Sequence, residues 1–291
     1  MSFGVEVRDL TVRYGRTTAV DRVSLTLEPG RIHGLLGRNG SGKTSLLSVL
    51  AAYRPATSGT VLVDGEDPFE NPRVMAGTCL VRESGDHLDD KARATLRLAA
   101  AVRPTWDEEL AGRLVERLRV PLGKKPSQMS RGQRSALGVV VGLASRAPLT
   151  MLDESYLGLD APSRYAFYDE LLADYAAHPR TIVVSSHLIE EVERLFERVV
   201  VLEEGRLLLA EDADELRARG VTVTGPADVV EAFVAAHAVL DRRSLGRTLQ
   251  ATVDGALDPA ERRRAAELGL DLGPVALQDM FVHLTGSGGA R

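Results

Sequence analysis

The eight residues "GRNGSGKT", Gly37 to Thr44, decide how this chain reads. They fit the pattern G-x-x-x-x-G-K-[ST] at every fixed position: Gly37, Gly42, Lys43 and Thr44. Glycines at that spacing let successive backbone N–H groups turn inward around phosphate oxygens, and a helix that follows adds the positive end of its dipole. Asn39, Gly40, Ser41 and Ser45 fill out the loop and the first helical turn. Lys43 has the reach for β and γ phosphates, and the Thr44 hydroxyl can join the shell of a magnesium ion. The flanks agree with this reading. Ile32 to Leu36 is an apolar run suited to a buried strand, and "SLLSVLAA" carries helical spacing until Pro55 stops it.

Outward from the loop, the chain alternates strands and helices. Val5, Val7, Leu10 and Val12, then Val20, Val23, Leu25 and Leu27, predict a β-rich start. Asp89 to Val120 turns helical, with Leu96 and Ala100 one turn apart and Leu110, Leu114 and Leu118 on one face. A helix from about Ser130, a buried run "APLTMLDE", a helix near Ser163 to Ala177, a strand "RTIVVSS", a helix "HLIEEVERLF" and a strand "RVVVLEEG" follow. That alternation implies an α/β core with a mainly parallel sheet. From about Gly220 a new register begins, through "VTVTG", "RTLQATVD" and the basic helix "DPAERRRAAELG", and reads as a small α+β appendage.

A phosphate loop needs a carboxylate for its metal at the end of a neighbouring buried strand. Asp153 and Glu154 close "LTMLDE", and on an extended backbone adjacent side chains point apart. Asp153 then suits the magnesium shell, and Glu154 suits polarising a water as general base. Composition narrows the partners. The 36 basic residues are dispersed among 41 acidic ones for a net charge of −5, so no basic stripe follows a nucleic-acid backbone. Cys79 is the only cysteine, which excludes an intramolecular disulfide. The first residues lack the apolar stretch of a secretion signal, and no apolar run reaches the length of a membrane span.

Together these residues resemble the nucleotide-binding subunits of ABC transporters, over about residues 3 to 220. "MSRGQ", Met129 to Gln133, is similar to that family's signature, usually L-S-G-G-Q; Ser130, Gly132 and Gln133 are kept, whereas Met129 and Arg131 depart from it. The resemblance implies that Tyr14 stacks on adenine, that Asp160 in "GLD" speaks across a dimer, and that His187 contacts the γ-phosphate. It also puts Glu83 where the family has a glutamine that touches magnesium, an extra charge that Mg²⁺ or Arg82 would have to offset. Ser155 stands where proline is usual.

The implied fold is a P-loop NTPase core with an antiparallel β subdomain and a helical insert at about 84–130. Its ATP-binding domain spans 1–219, and an accessory domain spans 220–291. The implied activity is hydrolysis of Mg-ATP, with catalytic Lys43, Glu154 and His187 and with Thr44, Asp153 and Glu83 at the metal. Two copies would enclose ATP, Ser130 and Gly132 of one binding the γ-phosphate held by the other. A separate permease would supply the membrane spans and hold the chain at the cytoplasmic face, with Leu88, Leu96 and Leu98 as contacts. The cargo class by analogy is a drug, antibiotic or lipid for export. Two alternatives stay open: a membrane-linked ATPase that signals or transmits force without transport, and a soluble clamp on DNA or ribosomes.

Overall fold

The computed structural model describes residues 2–83 and 90–286, with side chains to residue 281. Leu88 lies outside the described residues. The chain packs as two units: Met1–His187 with Arg198–Ala210, and Leu188–Glu197 with Glu211–Arg291. The short segment after His187 and residues 211–219 thus belong with the second unit, whereas sequence reasoning draws the line at 219/220.

In the first unit, β1 (Val5–Tyr14) pairs antiparallel with β2 (Thr17–Leu27). The buried strand β3 (Ile32–Leu36) leads through the phosphate loop into α1 (Lys43–Leu50). β4 (Ser58–Val63) then returns to the free edge of β1, giving a three-stranded sheet in the order β2-β1-β4. The chain continues through α2 (Pro72–Ala76), β5 (Thr78–Arg82), α3 (Ala92–Val102), α4 (Glu108–Arg117), α5 (Arg131–Ala144), β6 (Leu149–Asp153), α6 (Ala161–Ala177) and β7 (Thr181–Ser186). After α7 (Ile189–Val192), which belongs to the second unit, come β8 (Arg198–Glu203) and β9 (Arg206–Asp212).

The main sheet runs β5-β6-β7-β3-β8-β9, and β3 pairs in parallel with both β7 and β8, as β6 does with β5 and β7. Every residue of β3, β6 and β7 is buried, as a parallel sheet covered on both faces requires. On one face Leu46, Leu47 and Leu50 of α1 pack with the small sheet's Val5, Val7 and Val63, each side chain contributing about 1.5–3 kcal/mol by leaving water. On the other, Gly138 and Gly142 bring α5 close: a Cβ on them would stand 2.8 Å from Val81 and 2.9 Å from Leu152. The register aligns Asp153 with Ser185 and Ser186 with Leu36, so three strands end level beside the phosphate loop.

The expected helical stretch from Asp89 to Val120 is two helices, α3 and α4, interrupted around Pro104, which cannot donate a helical hydrogen bond. Asp107 restarts the chain as cap of α4, accepting from the Leu110 N–H at 2.7 Å. Leu110, Leu114 and Leu118 are buried together. The buried stripe of α3 is Ala92, Thr95 and Ala99, one position off the expected Leu96 and Ala100.

The second unit adds α8 (Ala213–Arg217), β10 (Gly220–Pro226), α9 (Ala227–Val234), β11 (Val239–Leu245), β12 (Thr248–Asp254), α10 (Pro259–Glu267), β13 (Asp271–Pro274) and α11 (Leu277–Gly286). Its sheet, β11-β12-β10-β13, is antiparallel. Alternate residues Val221, Val223, Leu249, Ala251 and Val253 pack on Val230 and Phe233 of α9. The helix expected over "HLIEEVERLF" stops after four residues and gives way to a 3₁₀ turn, Glu193–Leu195. Glu193 there serves as an anchor. Its carbonyl accepts from Arg217 at 2.5 Å and its carboxylate from the Leu277 N–H at 2.8 Å. Among the described residues no helix is long and apolar enough to cross a membrane.

Candidate functional site

At the level ends of β3, β6 and β7 lies a cleft of about 560 Å³, lined by residues 39–45 together with Ala19, Arg82, Glu83, Asp153 and Glu154. Gly42 shows why the loop needs glycine. Its φ is +101°, and a Cβ there would lie 2.4 Å from the Ala19 carbonyl oxygen. The helix that follows, α1, has no side-chain cap and no acidic residue in its first turn. Its leading N–H groups are therefore left for an anion. The Ser41 hydroxyl is buried with no hydrogen-bond partner, a second group suited to an anion.

Lys43 is 5% exposed, and its ammonium donates to the carbonyls of Gly37 at 2.7 Å and Arg38 at 3.2 Å. It also stands 3.2 Å from Glu154 Oε1. The other oxygen of that carboxylate, Oε2, is 3.0 Å from His187 Nδ1. A carboxylate can only accept, so Nδ1 carries the proton in this bond. Asp153 is oriented separately: Oδ2 accepts from Thr44 Oγ1 at 2.7 Å and Oδ1 from Ser185 Oγ at 2.6 Å.

The two adjacent carboxylates diverge for a different reason than the pleat of a strand. β6 ends at Asp153, and Glu154 takes a φ of +50°, left-handed backbone that costs a non-glycine residue roughly 1–2 kcal/mol. The Glu154 N–H donates to Ser185 Oγ at 3.0 Å, so one hydroxyl holds the kinked peptide and the Asp153 carboxylate together. Ser185 is fully buried and was missed from the sequence; the available signal was a hydroxyl at the end of an apolar strand, two residues before His187.

The structure thus brings together Lys43, Thr44, Asp153, Glu154 and His187, with Glu83 on the rim. Tyr14, Gly37 and His187 stand off the cleft lining but bond to residues in it, whereas Ser130, Gly132, Gln133 and Asp160 are outside that lining. Ser130 caps α5, accepting from the Gln133 N–H at 3.2 Å, while the Gln133 side chain accepts from the Ser130 N–H at 3.2 Å. Asp160 caps α6 through the Ser163 N–H at 2.9 Å, and the Ser163 hydroxyl and N–H hold its carboxyl below the usual range. Gly132 and Gly158 lock these two turns: a Cβ on Gly132 would lie 2.9 Å from the Gly158 carbonyl, and one on Gly158 would lie 2.2 Å from Ser135 Oγ.

Tyr14 is half exposed, with the Arg54 guanidinium 4.1 Å from its ring centre and Ser45 Oγ 3.4 Å from its hydroxyl. Burial pulls its pKa upward, but the Ser45 hydrogen bond and the Arg54 charge outweigh that and hold the phenol below its ordinary value. Arg82, expected as a possible counter-charge for Glu83, lies over the Tyr53 ring at 5.1 Å. Glu83 is ion-paired with Arg131, one of the two residues that depart from the signature pattern.

Magnesium and a triphosphate fit this donor set. Among the described residues no group of three or more His, Cys, Asp or Glu could hold a metal alone, so phosphate oxygens would have to complete the shell begun by Thr44 and Asp153. A family model described as "ABC transporter" matches residues 20–156. The ABC transporter ATP-binding protein YtrB of Bacillus subtilis (strain 168) is 32% identical over 214 residues, covering 73% of each chain. Nod factor export ATP-binding protein I of Paraburkholderia xenovorans (strain LB400) is 29% identical over 295 residues, 97% of each chain. Among solved structures, one titled "Structure of ATP binding subunit of ABC transporter" matches with a TM-score of 0.65 at 23% identity, over 73% of this chain and 91% of that one, a likeness of fold.

Proposed function

The chain belongs to the ABC transporter ATP-binding proteins, ATPases that drive transport, and from that premise we propose that it is the ATP-hydrolysing subunit of an exporter whose membrane-spanning part is a separate permease. The observation that carries the catalytic part is the clamping of Glu154 between Lys43 Nζ and His187 Nδ1 at the mouth of the phosphate loop. Residues 37–45 cradle the polyphosphate and Tyr14 stacks on the base. Thr44 and Asp153 would begin the metal's shell, with Glu83 beside them on the rim in its pair with Arg131, and the metal would offset charge on the phosphates. As the triphosphate enters, Lys43 turns its ammonium to the phosphate oxygens. That frees Glu154 Oε1 to accept a proton from the attacking water. His187 keeps Oε2 fixed, and its other ring nitrogen donates to the γ-phosphate when it carries a proton.

Ser130, Gly132, Gln133 and Asp160 stand outside their own chain's cleft, which supports a homodimer in which these turns complete the ATP site of the other copy. Leu98 and Val102, about half exposed, line a groove of about 190 Å³ with Tyr53 and Gly138, and this supports docking of the permease at the cytoplasmic face of the membrane. Export follows the Nod factor relative that aligns over nearly the whole chain. The test is a pull-down from membranes with tagged Glu154→Gln protein held in Mg-ATP. Recovery of a multi-span membrane protein is the expected result; recovery of ribosomal or DNA-associated proteins alone would sink the transport reading and leave the ATPase.

A further inference from the structure

Three carboxylates line the cleft beside Lys43 and Arg82, and they are stabilised in three different ways. Glu154 stands against Lys43, and Asp153 has both oxygens hydrogen-bonded by Thr44 and Ser185. Glu83 is ion-paired with Arg131, 48 residues away in sequence. Arg131 is the first residue of α5, directly after the cap Ser130. A cation at that end of a helix opposes the helix dipole, so the helix itself disfavours an arginine there. What the arginine gains is Glu83.

We propose that Arg131 is a positioning residue for nucleotide binding, holding the Glu83 carboxylate on the rim of the cleft and cancelling its charge there. This rests on the reading of the cleft as an ATP site. Without Arg131, the Glu83 carboxylate in the cleft lining loses its ion-pair partner, and its repulsion of the polyphosphate is larger for metal-free ATP than for Mg-ATP because the metal offsets part of the phosphate charge. The pair is partly exposed, with side-chain accessibilities of 64% for Arg131 and 39% for Glu83, so water moderates the effect without abolishing it.

The experiment is a cycle on the full-length chain with Arg131→Ala, Glu83→Gln and the double variant, together with Arg131→Lys. Affinity is measured calorimetrically for Mg-ATP and for ATP in excess chelator. Arg131→Ala is expected to weaken Mg-ATP binding about threefold and metal-free ATP about tenfold. In the Glu83→Gln background the same change should move either affinity by less than about twofold, and Arg131→Lys should retain most of the parent's affinity. Alanine is a strong helix former, and its presence at the first position removes the unfavourable cation, so a lost helix cannot mimic the result. Equal losses in both backgrounds, or no loss in the parent, would overturn the proposal while leaving the ATPase reading intact. A parent protein that binds no Mg-ATP would overturn both.

Discussion

The phosphate end and the signature end of the first unit lie in one chain and are held in contrasting ways. At the phosphate end, Lys43, Asp153 and Ser185 are buried, and hydrogen bonds among the loop after β3, the first turn of α1 and the ends of β6 and β7 cross-brace them. At the signature end, Ser130, Gln133 and Asp160 spend their polar groups on the first turns of their own helices. The first region is preorganised around a ligand. The second is a pair of stiff, self-satisfied helix starts, suited to being presented to something outside the chain. Preorganisation is where catalysis gains most, because donors already in place need no reorganisation when charge develops.

The contrast is broken most directly at Glu154. Glu154→Gln keeps the shape and the contact with His187 but removes the proton acceptor, so steady-state ATPase activity should fall at least about a hundredfold. Mg-ATP affinity should hold or rise, since Lys43 loses its competing carboxylate. Hydrolysis at the parent rate would remove Glu154 from the chemistry and with it the meaning of the bracing around it.

Ser185→Ala tests the bracing itself. It strips a donor from Asp153 and an acceptor from the Glu154 N–H in a fully buried position, and unsatisfied buried groups cost about 1–3 kcal/mol. A lower Tm and roughly a tenfold lower kcat, from a displaced Glu154, are expected. An unchanged kcat with only a lower Tm would make Ser185 a core residue and nothing more.

How legible each region is from sequence follows from the range of the forces that build it. The phosphate loop is readable because local backbone conformation forces its glycines: Gly42 could be nothing else beside Ala19. Ser130 is readable as a cap because its partner Gln133 is three residues on. Ser185 is not, since a serine inside "IVVSS" looks like any hydroxyl in a buried strand until Asp153 is brought alongside. The Glu83–Arg131 pair is likewise hidden: two departures from the family pattern, distant in sequence, explain each other only once β5 and α5 are folded together. In the second unit β11 is silent for another reason. "VLDRRSL" is an edge strand with its residues mostly exposed, so it has no apolar alternation to read.

The smallest expected effect sharpens the signature end. The folded pKa of Asp160 lies below the ordinary aspartate value of about 3.9 because its charged form is what Ser163 bonds. A depressed carboxylate contributes stability that is fully present above the unfolded value and is lost as pH falls through the folded one. Asp160→Asn leaves an oxygen to cap α6, so Tm at pH 7 should change little. Between pH 5 and pH 3 the variant should lose slightly less Tm than the parent, because one carboxylate whose protonation weakens the fold has been removed. Parallel Tm-against-pH curves for the two proteins would mean that Asp160 holds α6 without its charge, and that the turn is free to use that charge elsewhere.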